Sequence, residues 1–160
     1  MRFGRDNLGI LMRMAQIYFY SGARDKLVTA CRLCAKALQQ NMRVLIYTPD
    51  IALMEKVDEL LWTFSATSFV PHCSAIGKGN EQIYSVSPVI ISNQIHSDQG
   101  YDVLLNLHDQ CPPLFEQFDR LIEIADLSNQ DSENARERYR NYKQMGLHIQ
   151  HYDLNDSVLF

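Results

Sequence analysis

Arg43-Val-Leu-Ile-Tyr-Thr48, followed at once by Pro49-Asp50 and the apolar positions Ile51, Met54, Val57, Leu61 and Trp62, reads as a strand running straight into a helix. Val44 to Tyr47 is continuously apolar. Strict alternation would leave one wet face, whereas an unbroken run marks a strand covered on both sides, the habit of a parallel sheet between layers of helices. Thr48 is placed to cap the helix, with Pro49 pre-set at its first position. The helix is expected to run to about Phe64, with its five apolar positions turned to a core.

The same grammar holds outward from this unit. Gln16-Ile-Tyr-Phe-Tyr20 is rich in β-forming residues and is punctuated by Ser21-Gly22. From Arg24 to Gln40, Leu27, Cys31, Cys34, Ala35 and Leu38 recur at helical spacing. Downstream, a loop with Gly77-Lys78-Gly79 precedes a hairpin-like or strand region from Ile83 to Ser92. Asp102 to Leu107 and Arg120 to Ala125 are further strands. Ser128 opens a last helix, Gly146 closes it at C′, and Leu147 to Leu154 returns as a strand. Short apolar strands alternating with helices predict an α/β fold, a three-layer α/β/α sandwich with a mostly parallel central sheet. Residues 1–13 are expected to be an extension, with Met14 as the natural start. Residues 14–154 form one domain in this reading, and 155–160 a C-terminal tail.

The 160 residues are 46% hydrophobic and 21% charged, with a formal net charge of -4. A protein that grips nucleic acid unaided normally carries a basic surplus, because neutralising phosphates supplies much of the affinity. Contact with DNA is therefore expected to be indirect, or confined to a local basic patch. Four cysteines in a chain able to build a large core do not suggest a secreted disulfide framework. Ile10-Leu11-Met12 is too short for a signal-peptide core, and no stretch approaches the roughly 20 apolar residues of a membrane span. The expected compartment is the cytoplasm, with no membrane association.

Catalytic constellations are hard to assemble. A phosphate-binding turn needs glycines between a strand and a helix N-terminus. Ser21-Gly22 offers one glycine, and Gly77-Lys78-Gly79 with Asn80 leads to no helix. Cys31 and Cys34 fall on the apolar stripe of a helix rather than at its N-terminus, so core packing explains them. Cys73 and Cys111 are single. His148 and His151, three apart in a strand, point to opposite faces and share no metal. His108-Asp109 follows a strand, where α/β enzymes keep catalytic groups, but lacks a nucleophile with a plausible partner. His72 and His96 add no motif. The reading calls for no metal, no cofactor and no catalytic residues.

Two segments stand out. In Glu133-Asn-Ala-Arg-Glu-Arg-Tyr-Arg-Asn-Tyr-Lys-Gln-Met145, the spacing of three and four aligns Arg136, Tyr139, Arg140 and Lys143 on one face. Guanidinium groups suit a carboxylate, and a tyrosine ring can wall an apolar pocket. A solvated helix face with cations near its C-terminus is the competing account. The second is Trp62 with Ser68-Phe-Val-Pro-His72, whose aromatics suit either a core lid or a partner's anchor.

Taken in order, Tyr18-Phe-Tyr20, Arg43-Val-Leu-Ile46, Leu61-Trp62, Ser68-Phe-Val-Pro-His72 and Ala135-Arg-Glu-Arg-Tyr-Arg-Asn-Tyr-Lys143 before Gly146 resemble the chi-subunit family of bacterial DNA polymerase III. The match runs from about Met14 to Asp153. The resemblance implies a non-catalytic accessory subunit of a DNA-directed DNA polymerase (nucleotidyltransferase) holoenzyme, acting in DNA replication at the replisome of a bacterial cytoplasm. It implies an adaptor that joins the clamp loader, through the psi subunit, to single-stranded-DNA-binding protein. One surface takes psi or, in its place, a repair helicase; Trp62, Phe69, Val70 and Pro71 correspond to it. The other takes the acidic C-terminal tail of single-stranded-DNA-binding protein, whose last phenylalanine enters a pocket. Arg136 and Tyr139 match its principal residues, with Arg140 and Lys143 as further cations. Ser132 stands where a family lysine helps attract the tail, leaving Lys143 or Arg138 to compensate, or a lower affinity.

The chain's own end, Asn155-Asp-Ser-Val-Leu-Phe160, crudely mimics that partner tail and is read either as a competitor for the pocket or as a frayed terminus. The alternatives from other classes are a small nucleotide-dependent α/β enzyme and a direct DNA-binding module using the last helix.

Overall fold

The computed structural model describes residues 15–67, 69–75, 86–96 and 100–155. The readings placed on residues 1–14, on Ser68, on Gly77 to Asn80, on Ile83 to Ser85 and on 156–160 lie outside them. Among the described residues, seven strands form one all-parallel sheet in the order β3-β4-β2-β5-β6-β1-β7. These are β1 (Gln16–Ala23), β2 (Val44–Tyr47), β3 (Cys73–Ser74), β4 (Val89–Ser92), β5 (Val103–Asn106), β6 (Arg120–Asp126) and β7 (Ile149–Asp153). The helices are α1 (Lys26–Gln39), α2 (Ile51–Thr63) and α3 (Asn129–Gln144), with a 3-10 turn at Phe115–Gln117.

The continuous apolar runs are central strands. β2, β4 and β5 are buried along their whole length. Val44, Ile46, Val89, Ile91, Val103 and Leu105 point to the side covered by α1 and α2. Leu45, Ile90 and Leu104 point to the other side, where Ala135 and Tyr142 of α3 and Phe115 complete a second cluster. The sheet therefore sits between two apolar layers, as the α/β/α reading expects, and all of its pairings are parallel.

Local chemistry moves several boundaries. Ser21-Gly22 does not end β1. It makes a register shift between Tyr20 and Ala23, and the strand continues to Ala23. Gly22 has φ 75°, and a Cβ there would meet Asp153 Oδ1 at 3.0 Å and the Asn155 backbone nitrogen at 3.1 Å. The position takes only glycine without strain. The cap of α2 is Asp50, not Thr48: its carboxylate accepts from Ala52 and Leu53, while the buried Thr48 hydroxyl accepts from Asp50 N. Of the five apolar positions on α2, Met54, Val57 and Leu61 are buried. Ile51 and Trp62 are 49% and 56% exposed, so those two do not face the core. Ser128 caps α3 by accepting from Asp131 N, and Gly146 takes φ 77° past its end, both as read.

Cys31 and Cys34 are fully buried in the α1 layer, as their helical spacing indicates. Burial, with Asp25 adding to it, pushes the Cys31 thiol up to about 12. Cys34 is raised by its own burial and by Cys31 beside it. A thiolate is the reactive species. Alkylation of the native protein at pH 8 is therefore expected to mark the partly exposed Cys73 and Cys111, and to reach Cys31 and Cys34 only after unfolding. Peptide mass mapping reads this directly, and native labelling of Cys34 would contradict the packing.

Candidate functional site

α3 lies over β6, and its amphipathic pattern decides which side chains meet solvent. Ala135, Arg138 and Tyr142 turn inward at spacings of three and four. Arg136, Arg140 and Lys143 are exposed, and Tyr139 is half-buried beside them. The four expected strip residues are thus brought together on one face. Tyr139 packs edge-on against Phe19 of β1, with centroids 5.4 Å apart, and lies 6.1 Å from the His151 ring on edge strand β7. His151 Nε2 and Ser21 Oγ share a 2.7 Å hydrogen bond that fixes the imidazole. Lys143 Nζ stands 5.8 Å over the Tyr139 ring. The result is a small aromatic wall under a rim of three cations, at the β7 edge of the sheet. Chemically it suits a ligand with an aromatic or apolar end and a carboxylate.

Arg138 does not belong to this rim. It is 1% exposed, so it cannot compensate for Ser132. Its Nε donates to Glu123 Oε1 at 3.0 Å and its Nη1 to the Asp109 carbonyl at 2.8 Å. Glu123 and Asn106 are neighbours in register on β6 and β5, both fully buried. Asn106 Nδ2 donates to Glu123 Oε2 at 3.0 Å, and the Tyr142 hydroxyl donates to the same oxygen at 2.5 Å. Burial raises the Glu123 carboxyl above its usual range, opposed by Arg138, Tyr142 and Asn106. The Tyr142 phenol is raised by burial and by Glu123. This network binds α3 to the sheet and to the loop after β5. The sequence reading missed it, although the alignment of Arg138 with Ala135 and Tyr142 on the inner stripe was the available signal.

The same network accounts for His108-Asp109. Asn106 Oδ1 accepts from His108 N, and Asn106 Nδ2 donates to Gln110 O at 3.0 Å, so the loop is a pinned turn. The His108 ring meets Tyr47 edge-on at 6.1 Å. Among the described residues, no three His, Cys, Asp or Glu side chains are grouped to hold a metal ion. No described helix is long and apolar enough to cross a membrane.

The second site lies at the other edge of the sheet. Trp62, in the last turn of α2, is 56% exposed, and Phe69 is 68% exposed. Their rings are 5.6 Å apart, and the Trp62 ring also leans on His72 at 4.6 Å. The His72 side chain has no exposure. Its Nδ1 lies 2.6 Å from Val70 O, and its Nε2 lies 3.2 Å from Asp58 O and 3.1 Å from Asp58 Oδ1. Val70 is 1% exposed and joins the core of the α1–α2 layer, so it anchors the segment from below and is not part of the outer surface. Trp62, Phe69 and the exposed Pro71 remain as the solvent-facing patch.

Comparison with known proteins places the chain in a family. Residues 14–150 match the family model described as DNA polymerase III chi subunit, HolC. The chain is 29% identical over 145 residues to the DNA polymerase III subunit chi of Pseudomonas aeruginosa, covering 88% of this chain and 98% of that one. It is 30% identical over 120 residues to the subunit chi of Escherichia coli K12, covering 74% and 79%. In fold alone, it resembles a chain in the structure of the S. cerevisiae Dbp5 C-terminal domain bound to Gle1 and IP6. There the TM-score is 0.58 at 11% identity, covering 89% of this chain and 92% of that one. The chain belongs to the DNA polymerase III chi-subunit family, and so to the protein machinery of DNA replication.

Proposed function

We propose that the chain is a non-catalytic adaptor with two docking sites, one for the psi subunit of the clamp loader and one for the acidic C-terminal tail of single-stranded-DNA-binding protein. The observation that supports it best is placement. The Trp62–Phe69 patch adjoins β3, and the Arg136–Tyr139 strip adjoins β7, the two edges of one seven-stranded sheet. With neighbouring strands about 4.7–4.9 Å apart, the edges are separated by roughly 28 Å, so two partners can bind together. A repair helicase of similar anchor chemistry would compete with psi for the apolar patch.

At the β7 edge, the exposed cations draw an acidic tail toward a protein that repels it elsewhere. In this reading Arg136, exposed one turn before Tyr139, takes the terminal carboxylate, and Tyr139 with Phe19 and His151 behind it walls the terminal ring. The decisive measurement is a polarisation titration of a labelled acidic peptide ending in phenylalanine. Arg136→Ala is expected to weaken binding about tenfold, in line with losing one charge-assisted contact. Affinity of the parent should fall with added salt because the rim is exposed. Unchanged affinity in Arg136→Ala would remove the assignment.

A further inference from the structure

The opposite face of the same sheet edge carries an aromatic surface that neither docking site uses. α1 packs on β2, β5 and β6. Beyond it, on this side, β1 and β7 present Tyr18, Tyr20 and Tyr152, the last 44% exposed. Tyr20 and Tyr152 are stacked, with centroids 5.0 Å apart and planes at 18°, and Tyr18 meets Tyr152 edge-on at 6.4 Å. The phenols are fixed from their own strands: Tyr18 donates to Gln16 Oε1 at 3.1 Å, and Tyr152 to Gln150 Oε1 at 3.0 Å. The rings are therefore held in place before any ligand arrives.

The charge on this face runs against that of the protein. Arg120 of β6 lies 4.5 Å over the Tyr18 ring and donates from Nη1 to Gln40 Oε1 at 3.3 Å. Only one of its five N–H donors is used in that bond. Lys36 and Arg32 stand one and two turns before Gln40, so they share the flank of α1 that borders Arg120, and both are exposed. From Lys26 to Gln39 that helix contains no acidic residue. The side chains that β1 and β7 show beside the rings are glutamines. A chain of net charge -4 thus carries a second cationic surface with an aromatic floor, on the face of β1 and β7 opposite the α3 strip.

We propose that this surface binds single-stranded nucleic acid, with bases stacking against Tyr152 and Tyr18 and phosphates meeting Arg120, Lys36 and Arg32. Rings on an open sheet face accept unstacked bases of any sequence, and cations along one border track the backbone. A duplex, with its bases enclosed, gains little from such a floor. The inference is independent of the two docking sites, since it concerns the other face of β7.

The test is a polarisation titration of the full chain with fluorescein-labelled 20-mer oligothymidylate at 20 mM salt. Saturable binding is expected, with a slope of log K against log salt of about -2, the value for three phosphates neutralised on a single strand. Tyr152→Ala should weaken binding about tenfold and Tyr152→Phe should retain it, since stacking needs only the ring. Arg136→Ala should bind the oligonucleotide like the parent. Should Tyr152→Ala fail to fold, the exposed pair Arg32→Glu and Lys36→Glu replaces it, with a loss of tenfold or more expected. Oligouridylate separates the sources: equal affinity fits stacking on either polymer, and a clear preference for it assigns the surface to RNA. No saturable binding by the parent, or equal binding by a folded Tyr152→Ala variant, overturns the proposal and leaves the face to a protein partner.

Discussion

Replacing Arg138 by methionine is expected to lower the folding free energy by about 3–5 kcal/mol at neutral pH, the cost of breaking a buried ion pair from one side. Methionine fills much of the volume, so the loss is chiefly electrostatic. Glu123 keeps the Tyr142 and Asn106 donors but loses the guanidinium that opposed its burial. Its folded-state pKa, already raised, moves further up. A carboxyl raised on folding contributes stability that is fully present below its unfolded value of about 4.3 and is lost as pH rises through the folded value. The deficit of Arg138→Met should therefore shrink toward pH 4 and be largest above pH 7. Adding Glu123→Gln removes the stranded charge and should recover part of the loss, because the amide oxygen can still accept from Tyr142 and Asn106. Urea denaturation across pH checks all three statements. A single-variant loss under 1 kcal/mol, or one independent of pH, would mean that Arg138 and Glu123 do not act as a pair.

The network also bears on docking, because it fixes the angle at which α3 presents its outer face. Arg136, Tyr139 and Arg140 stand on the same helix as Arg138 and Tyr142, and a helix rotated by one residue turns by about 100°. The double variant should keep the tail site, since it frees α3 from an unpaired charge without altering its apolar seam.

How much of this was legible in the sequence follows from which physical signals are local. β2 and β5 were readable because their apolar runs, Val44 to Tyr47 and Val103 to Leu105, are covered on both faces. β4, by contrast, is only the end, Val89–Ser92, of the hairpin-like or strand region read from Ile83, and it pairs in parallel on both sides and makes no hairpin. The ends of α3 were readable because Ser128 and Gly146 act through their own backbone neighbourhood. Thr48 misled because two cap-forming residues flank Pro49, and only the fold shows Asp50 at the helix entrance and Thr48 buried. β3 was missed because two residues carry no period, and its place is set by pairing with β4. Ile51 and Trp62 were assigned to the core because helical spacing marks an apolar stripe without saying how wide the covering layer is. Val70 was grouped with Phe69 by adjacency, although neighbours in an extended segment face opposite ways. The spacing that aligns Arg136, Tyr139, Arg140 and Lys143 on the outer side of α3 also puts Arg138 on the inner face, where a charged residue is rarely expected. His151 and Phe19 could not be attached to Tyr139 without knowing that β7 lies beside β1.

Trp62→Ala is expected to weaken psi binding by at least 2 kcal/mol, about thirtyfold, the effect of removing a central aromatic anchor from a protein interface. The geometry explains why so much should rest on one side chain. Trp62 stands over His72, whose ring is clamped between Val70 and Asp58, and beside Phe69, so the indole is held in position at no cost on binding. Preorganisation of this kind converts buried area into affinity with little ordering penalty. Stability should change far less than binding, because over half of the Trp62 surface is already in water and only its contacts with His72 and Phe69 are lost. Phe69→Ala should act in the same direction and more weakly, while Val70→Ala should lower stability first, since Val70 is buried. Affinity for the acidic tail peptide should be the same in Trp62→Ala as in the parent, because sites at opposite sheet edges share no contacts and their effects add. Calorimetric titration with psi, run beside thermal melting and the peptide titration, separates these outcomes. Undiminished psi binding by a folded Trp62→Ala chain would place the clamp-loader contact elsewhere. Loss of both partners together would mean that the two edges are coupled through the sheet and do not act as independent docking sites.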